Sequence, residues 1–158
     1  MKNRRGIRRR SELVTSSELG EVLEFMRLLW GVYHGLQSRS KRMAGTMGIT
    51  GPQRLVILLV GRFPGISAGD LADLLCVHPS TLTGTLRRLV NRRLVVRTRD
   101  PGDHRRSFLR LARRGSVLGR LRSGTVESAV RRALSQQSPM HLNAARSVLR
   151  AVGDELQA

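Results

Sequence analysis

The sequence predicts a mainly α-helical chain with one small β-hairpin. Three observations predict it: apolar stripes at helical spacing towards both ends, repeated helix-start signals between them, and one alternating segment folded about a charged turn. The 158 residues suit one domain, or one domain with an extension. A chain of that size buries about two-thirds of its unfolded surface without a disulfide or metal staple.

Residues 1–14 read as a basic, disordered arm, with six cations and no acid among the first ten residues. Thr15-x-x-Glu18 has the spacing of a capping box. From there Leu19, Val22, Leu23, Met26, Leu29, Trp30, Tyr33 and Leu36 recur at three- and four-residue steps, which predicts a long first helix to about Arg42, interrupted by Gly45 and Gly48. Thr50-Gly51-Pro52-Gln53 restarts the chain, and Leu55 to Val60 is apolar all round, as expected of a helix buried at the centre of its domain.

Pro64-Gly65 ends that helix, and Ser67-x-x-Asp70 is a second capping box opening a short third one. After His78-Pro79-Ser80-Thr81 a fourth helix carries Leu82, Leu86, Leu89 and Val90 on one face, with Thr81, Thr85, Arg88 and Arg92 off it. Two short helices joined by a tight turn, the second basic outside, make a helix-turn-helix candidate. Leu94 to Arg99, the turn Asp100-Pro101-Gly102-Asp103 and Ser107 to Leu111 predict a β-hairpin with a charged tip. The remainder reads as helical, through Val117, Leu118, Leu121, Val126, Val130 and Leu134, then from Ser138-Pro139 through Leu142, Ala145, Val148, Leu149, Val152 and Leu156.

Lys+Arg 29 against Asp+Glu 11 leaves a formal charge of +18, and only Lys2 and Lys41 among those cations are lysines. Arginine's rigid donor fork suits phosphates and guanine edges, although a high-GC genome enriches arginine as well. One cysteine, Cys76, cannot close an intramolecular disulfide or a zinc ribbon, which makes a reducing compartment the default. The longest apolar run has six residues, too short to span a bilayer, and no apolar region follows the basic start as a secretory signal would require. The expected location is the cytoplasm, at the bacterial nucleoid, with no membrane partner. His34, His78, His104 and His141 are scattered without a paired spacing, so no metal site and no cofactor are expected. With no nucleophile–base pair, phosphate loop or carboxylate dyad, the chain does not read as an enzyme.

The charge is concentrated. Eleven arginines lie between Arg87 and Arg114 against only Asp100 and Asp103, which gives +9 where the basic helix and the hairpin would converge. A solvated basic face with no partner is the bland reading; double-stranded DNA is the sharper one.

The residues here resemble the MarR/SlyA family of winged helix-turn-helix transcriptional regulators, over roughly residues 19–156. The resemblance is carried by Gly48-Ile49-Thr50 with Gln53, by Leu71-Ala72 with Pro79-Ser80-Thr81-Leu82-Thr83 and Leu89, and by Asp100-Pro101-Gly102-Asp103-His104-Arg105 running to Leu111 and Gly115. It implies a recognition helix presenting Ser80, Thr81 and Thr83 to the major groove, and a wing whose Asp103 and Arg105 reach the minor groove. A narrow minor groove concentrates negative potential, and a nearby aspartate can aim a guanidinium. Gly84 stands where the family often has a basic residue, which shifts readout towards Thr85 and Arg88, with Arg87 and Arg106 completing the basic surface. Arg93 replaces the glycine that commonly ends the recognition helix, so a different helix-to-strand turn is expected there.

The resemblance also implies a homodimer and a small aromatic effector. The expected division is an arm at 1–14, an N-terminal dimerisation helix at 15–48, a DNA-binding region at 49–115 and C-terminal dimerisation helices at 116–158. Leu19, Val22, Leu142, Val148, Leu149, Val152 and Leu156 are the dimer candidates, because a lone chain would expose their stripes. Trp30, Tyr33 and His34 are the effector candidates, with core or interface as the plainer reading. Cys76, among Leu74, Leu75 and Val77, is expected to be a small buried hydrophobe. The function expected is a repressor acting on an inverted-repeat operator; the alternatives are a non-specific nucleoid or RNA-binding module and a paralogue that binds only protein.

Overall fold

The computed structural model describes residues 16–100, 102–103 and 107–157. Among these residues seven helices and three short strands follow in order: α1 (Ser16–Met47), α2 (Gly51–Arg62), β1 (Ile66–Ser67), α3 (Ala68–Leu74), α4 (Pro79–Asn91), β2 (Val95–Arg99), β3 (Ser107–Leu111), α5 (Arg113–Gly119), α6 (Val126–Leu134) and α7 (Pro139–Glu155). The chain divides into two compact units between Arg39 and Ser40. In the first, α1 is broken at Gly20 (φ +70°) and is otherwise helical, with Val22, Leu23, Met26, Trp30 and Val32 more than half exposed. The expected capping residue Thr15 and the basic arm lie outside the described residues. Gly45 does not interrupt α1 as the spacing suggested; the helix runs through it and stops at Met47, before the left-handed Gly48.

The second unit is built around α2. Thr50 caps it in a complete box: the Thr50 side chain accepts from the Gln53 amide, and the Gln53 side chain accepts from the Thr50 amide. Val56, Ile57 and Val60 are buried, and against them pack Leu71 and Ala72 of α3, Leu82, Leu86 and Leu89 of α4, and Leu94, Val95 and Leu109 around the sheet. The expectation of a helix buried on every side is corrected, for Leu55 is 47 % exposed and the stripe that faces inward contains an arginine.

That arginine is Arg54, 1 % exposed. Its Nη1 donates to the Leu118 carbonyl and its Nη2 to the Leu121 carbonyl, both at 2.6 Å, while Nε donates to Glu127 Oε1 at 2.6 Å. It therefore satisfies carbonyls at the end of α5 and pairs with a carboxylate in the first turn of α6. The segment read as helical from Val117 to Leu134 forms two helices, parted by a turn with Gly124 at φ +72° and restarted by a Thr125 cap on the Ser128 amide. Burial pushes the Glu127 carboxyl upward, but hydrogen bonds from Arg54, its own amide and the Thr125 hydroxyl, with the Arg54 charge, outweigh this and hold it below the usual glutamate range.

Ser67 caps α3 through the Asp70 amide, and its hydroxyl donates to Asp70 Oδ2 at 2.7 Å, a closed pair rather than a full box. β1 was not anticipated; it adds to the expected hairpin an antiparallel third strand in the order β1-β3-β2, pairing Ile66 with Leu109. Two residues pairing is a weak sequence signal, submerged here by the helix-start pattern beside it. In the hairpin Val95 faces Leu111 and Arg99 faces Ser107. α5 closes on the hairpin base, where a Cβ at Gly115 would lie 2.0 Å from the Leu94 carbonyl oxygen, so only glycine allows the approach.

Two turns carry left-handed residues that are not glycine. Cys76 (φ +52°) follows α3, with Cys76 N–H donating to Asp73 O and Val77 N–H to Ala72 O; Arg93 (φ +54°) follows α4, with Arg93 N–H donating to Val90 O and Leu94 N–H to Leu89 O. Both are Schellman motifs. The altered turn expected at Arg93 is therefore not found: the left-handed geometry is kept with a side chain that tolerates it poorly. Cys76 is also corrected, being exposed rather than buried, because the turn points it outward. Among the described residues no single helix is long and apolar enough to cross a membrane, and no cluster of three His, Cys, Asp or Glu is placed to hold a metal ion.

Arg54→Ala should cost about 3 kcal/mol in urea unfolding, at the low end for a broken buried pair because Glu127 keeps some water contact. Since the folded Glu127 pKa is depressed, its contribution is present above the ordinary glutamate pKa and lost as pH falls through the folded value. Glu127→Gln should accordingly flatten the acid limb of the stability profile, and an unchanged limb would count against this linkage. Arg93→Gly should stabilise the chain by about 1 kcal/mol by relieving the left-handed strain, whereas Arg93→Ala should leave stability nearly unchanged.

Candidate nucleic-acid interface

α4 and the hairpin carry most of the dense basic segment. His78 caps α4, its ring nitrogen Nδ1 accepting from the Ser80 amide, with Ser80 Oγ 2.7 Å away, and Pro79 fills the first helical position. This cap was missed in the sequence, because histidine is a rare cap and nothing in the spacing marks it. Leu82, Leu86 and Leu89 bury one face, leaving Ser80, Thr81, Thr83, Arg87 and Arg88 exposed and Thr85 half-buried. The Thr83 hydroxyl donates to the Pro79 carbonyl at 2.9 Å, so it is left with acceptor capacity.

The hairpin supplies a second basic element. Asp100 Oδ1 accepts from the Gly102 amide at 2.8 Å, shaping the start of the tip, and Asp103 is exposed beyond it. Arg105 and Arg106, the sharpest expectations for the wing, lie outside the described residues. Arg97 is half committed, since its Nε donates to Ser107 Oγ across the strands at 2.8 Å. Arg92 is more fully diverted: its Nη1 donates to the Gly48 carbonyl, tying the end of α4 to the turn after α1. Position in the sequence alone could not separate this structural arginine from Arg87 and Arg88, which are exposed on the outer face.

A cavity of about 420 Å³ lies at the hairpin base, lined by Met47, Arg92, Leu94, Arg113, Arg114, Val117 and Leu118. None of the three effector candidates lines it. Trp30, Tyr33 and His34 form their own cluster on α1, with ring centroids 5.0 to 5.9 Å apart; Trp30 is 65 % exposed, so the core reading of that cluster fails. The dimer candidates on α7 are likewise uncovered: Val148, Leu149 and Leu156 are exposed, the last at 78 %, while Leu142 and Val152 are half-buried. On α1, Val22 is exposed and Leu19 half-buried.

Comparison with known proteins places these elements. Residues 47–106 match the model of the MarR family. The HTH-type transcriptional regulator FarR of Neisseria gonorrhoeae is 32% identical over 83 residues, 52% of this chain and 57% of that protein, so the chain spans little more than half of the curated relative it matches. Among solved structures, MarR is 26% identical with a TM-score of 0.61, covering 84% of this chain and 96% of MarR. The S. aureus MepR–DNA complex is 20% identical with a TM-score of 0.69, covering 84% of this chain and 97% of MepR, a likeness of fold.

The two arginine roles are separable by measurement. Arg92→Ala should lower stability by about 0.5 to 1.5 kcal/mol, the net worth of its hydrogen bond to the exposed Gly48 carbonyl, and Arg88→Ala should leave the melting curve almost unmoved. On a heparin column the order should reverse, with Arg88→Ala eluting at lower salt.

Proposed function

We propose that this chain, a member of the MarR family of transcription regulators through residues 47–106, is a sequence-specific double-stranded-DNA-binding repressor acting as a homodimer on an inverted-repeat operator. One observation carries the reading: α4 buries leucines on one side and presents hydroxyls and arginines on the other, next to a hairpin rich in arginine. A helix of that kind fits the major groove, where base edges differ, and a basic hairpin fits the neighbouring minor groove. Ser80, Thr81, Thr83, Thr85, Arg87 and Arg88 would face the first, and Asp103, Arg105 and Arg106 the second.

The exposed apolar residues of α1 and those of α7 support the dimer, since apolar surface left uncovered on a lone chain marks an interaction site. Residues 15–48 and 116–158 are accordingly assigned to dimerisation, 49–115 to DNA and 1–14 to a polycation that adds to affinity without adding to choice. The Trp30–Tyr33–His34 cluster is assigned to a small aromatic effector, which must bind the free and DNA-competent states unequally to act. The assigned location is the cytoplasm, at the nucleoid.

Selection from a random duplex library should return an inverted repeat with half-sites about one helical turn apart, and sedimentation should show a dimer. Arg105→Ala should then weaken binding by about 1 to 3 kcal/mol without changing the sedimentation coefficient. Recovery of no preferred sequence would favour the non-specific basic module instead; a concentration-independent monomer would remove the dimer.

A further inference from the structure

Gly84 stands at the centre of the exposed face of α4. With about 3.6 residues per turn, Leu82, Leu86 and Leu89 fall on the opposite side, while Ser80, Thr81, Arg87 and Arg88 ring the glycine. The result is a notch in the middle of the hydroxyl- and arginine-bearing face.

Nothing described within the protein asks for glycine at that point. Gly84 is not among the residues with positive φ, and a Cβ built on it meets no atom within 4 Å. Gly115 is the contrast, since there the backbone of Leu94 forbids any side chain. Glycine in a helix interior weakens the helix relative to alanine, and at position 84 the free protein recovers nothing for it. Gly31, Gly35 and Gly45 of α1 are equally open, so openness alone marks no site. What sets Gly84 apart is its place on the face proposed to meet DNA.

We propose that Gly84 is a specificity-determining residue whose notch seats the C5-methyl group of one thymine in each half-site, bringing the α4 backbone close to the base edge. This rests on the DNA-binding reading above. The thymine methyl is the one apolar projection that base pairs present in the major groove. The floor of the notch is a Cα–H flanked by main-chain groups already bonded within the helix, which suits a methyl group better than a polar edge. Arg87 and Arg88 on the rim reach past the notch to phosphates or guanines on either side. Readout at this position is then by shape, in place of the side-chain hydrogen bond that a larger residue would make.

The test uses the full chain and its library-selected duplex, with each thymine replaced singly by deoxyuridine to remove only the methyl. One position per half-site should weaken wild-type binding about fourfold, as expected for one buried methyl. Gly84→Ala should melt about 2 to 4 °C higher, bind the thymine operator about tenfold more weakly because the added methyl overpacks a seat already filled, and prefer deoxyuridine at that same position. Equal binding of the thymine operator by Gly84→Ala and wild type would overturn the proposal, and so would a loss of the same size on both duplexes. Failure of the selection itself to yield any preferred site would instead overturn the regulator reading, and this one with it.

Discussion

A single buried cation organises the second half of this chain. Arg54 sits in the apolar stripe of α2, where an unpaired guanidinium would be prohibitive, and its three hydrogen bonds run to Leu118 at the end of α5, Leu121 just beyond it and Glu127 in the first turn of α6. Two of them close carbonyls at the end of a short helix, so the cation stands where the dipole of α5 is negative. The third holds the carboxylate that begins α6. Removing the Glu127 carboxylate would leave the Arg54 guanidinium buried without its counter-charge, so the joint between these helices depends on both partners. The hairpin base is fixed from the neighbouring side, where α5 approaches the Leu94 carbonyl so closely that Gly115 has no room for a side chain.

The helix-turn-helix and the hairpin were legible because their signals are local. Capping residues at Thr50 and Ser67, the leucine spacing of α4 and the Asp100 side chain on the Gly102 amide each specify structure within a few positions. Features fixed by distant partners were not legible. Arg54 reads as one more arginine in a basic chain until Glu127 is brought to it from 73 residues away. Likewise β1 exists only because β3 returns beside it, and the carbonyls after α5 are satisfied by a donor from α2 that the local sequence does not announce. Cys76 misled because its neighbours are apolar, whereas the geometry of the turn decides which way it faces.

The same distinction applies to the candidate interface. Charge density singled out the segment, but only the hydrogen bonds show which of its exposed arginines are tied to a neighbouring part of the fold. Arg92 and Arg97 are engaged with Gly48 and Ser107, while Arg87 and Arg88 stand clear of the leucine face. The aromatic cluster shows the opposite limit, for proximity in sequence correctly brought Trp30, Tyr33 and His34 together, yet gave no indication that they would lie open to solvent.

The turns on either side of α4 hold Cys76 and Arg93 in a left-handed backbone that costs each roughly 1 to 2 kcal/mol. The strain at Cys76 belongs to the end of α3 and that at Arg93 to the end of α4, where each turn is held by two backbone hydrogen bonds. The amides of these two turns therefore belong among the earlier ones to exchange with deuterium, well before those of α2. Motion of that kind lets a rigid scaffold present an adjustable element, able to settle its depth and tilt against an irregular surface while the core beneath stays closed.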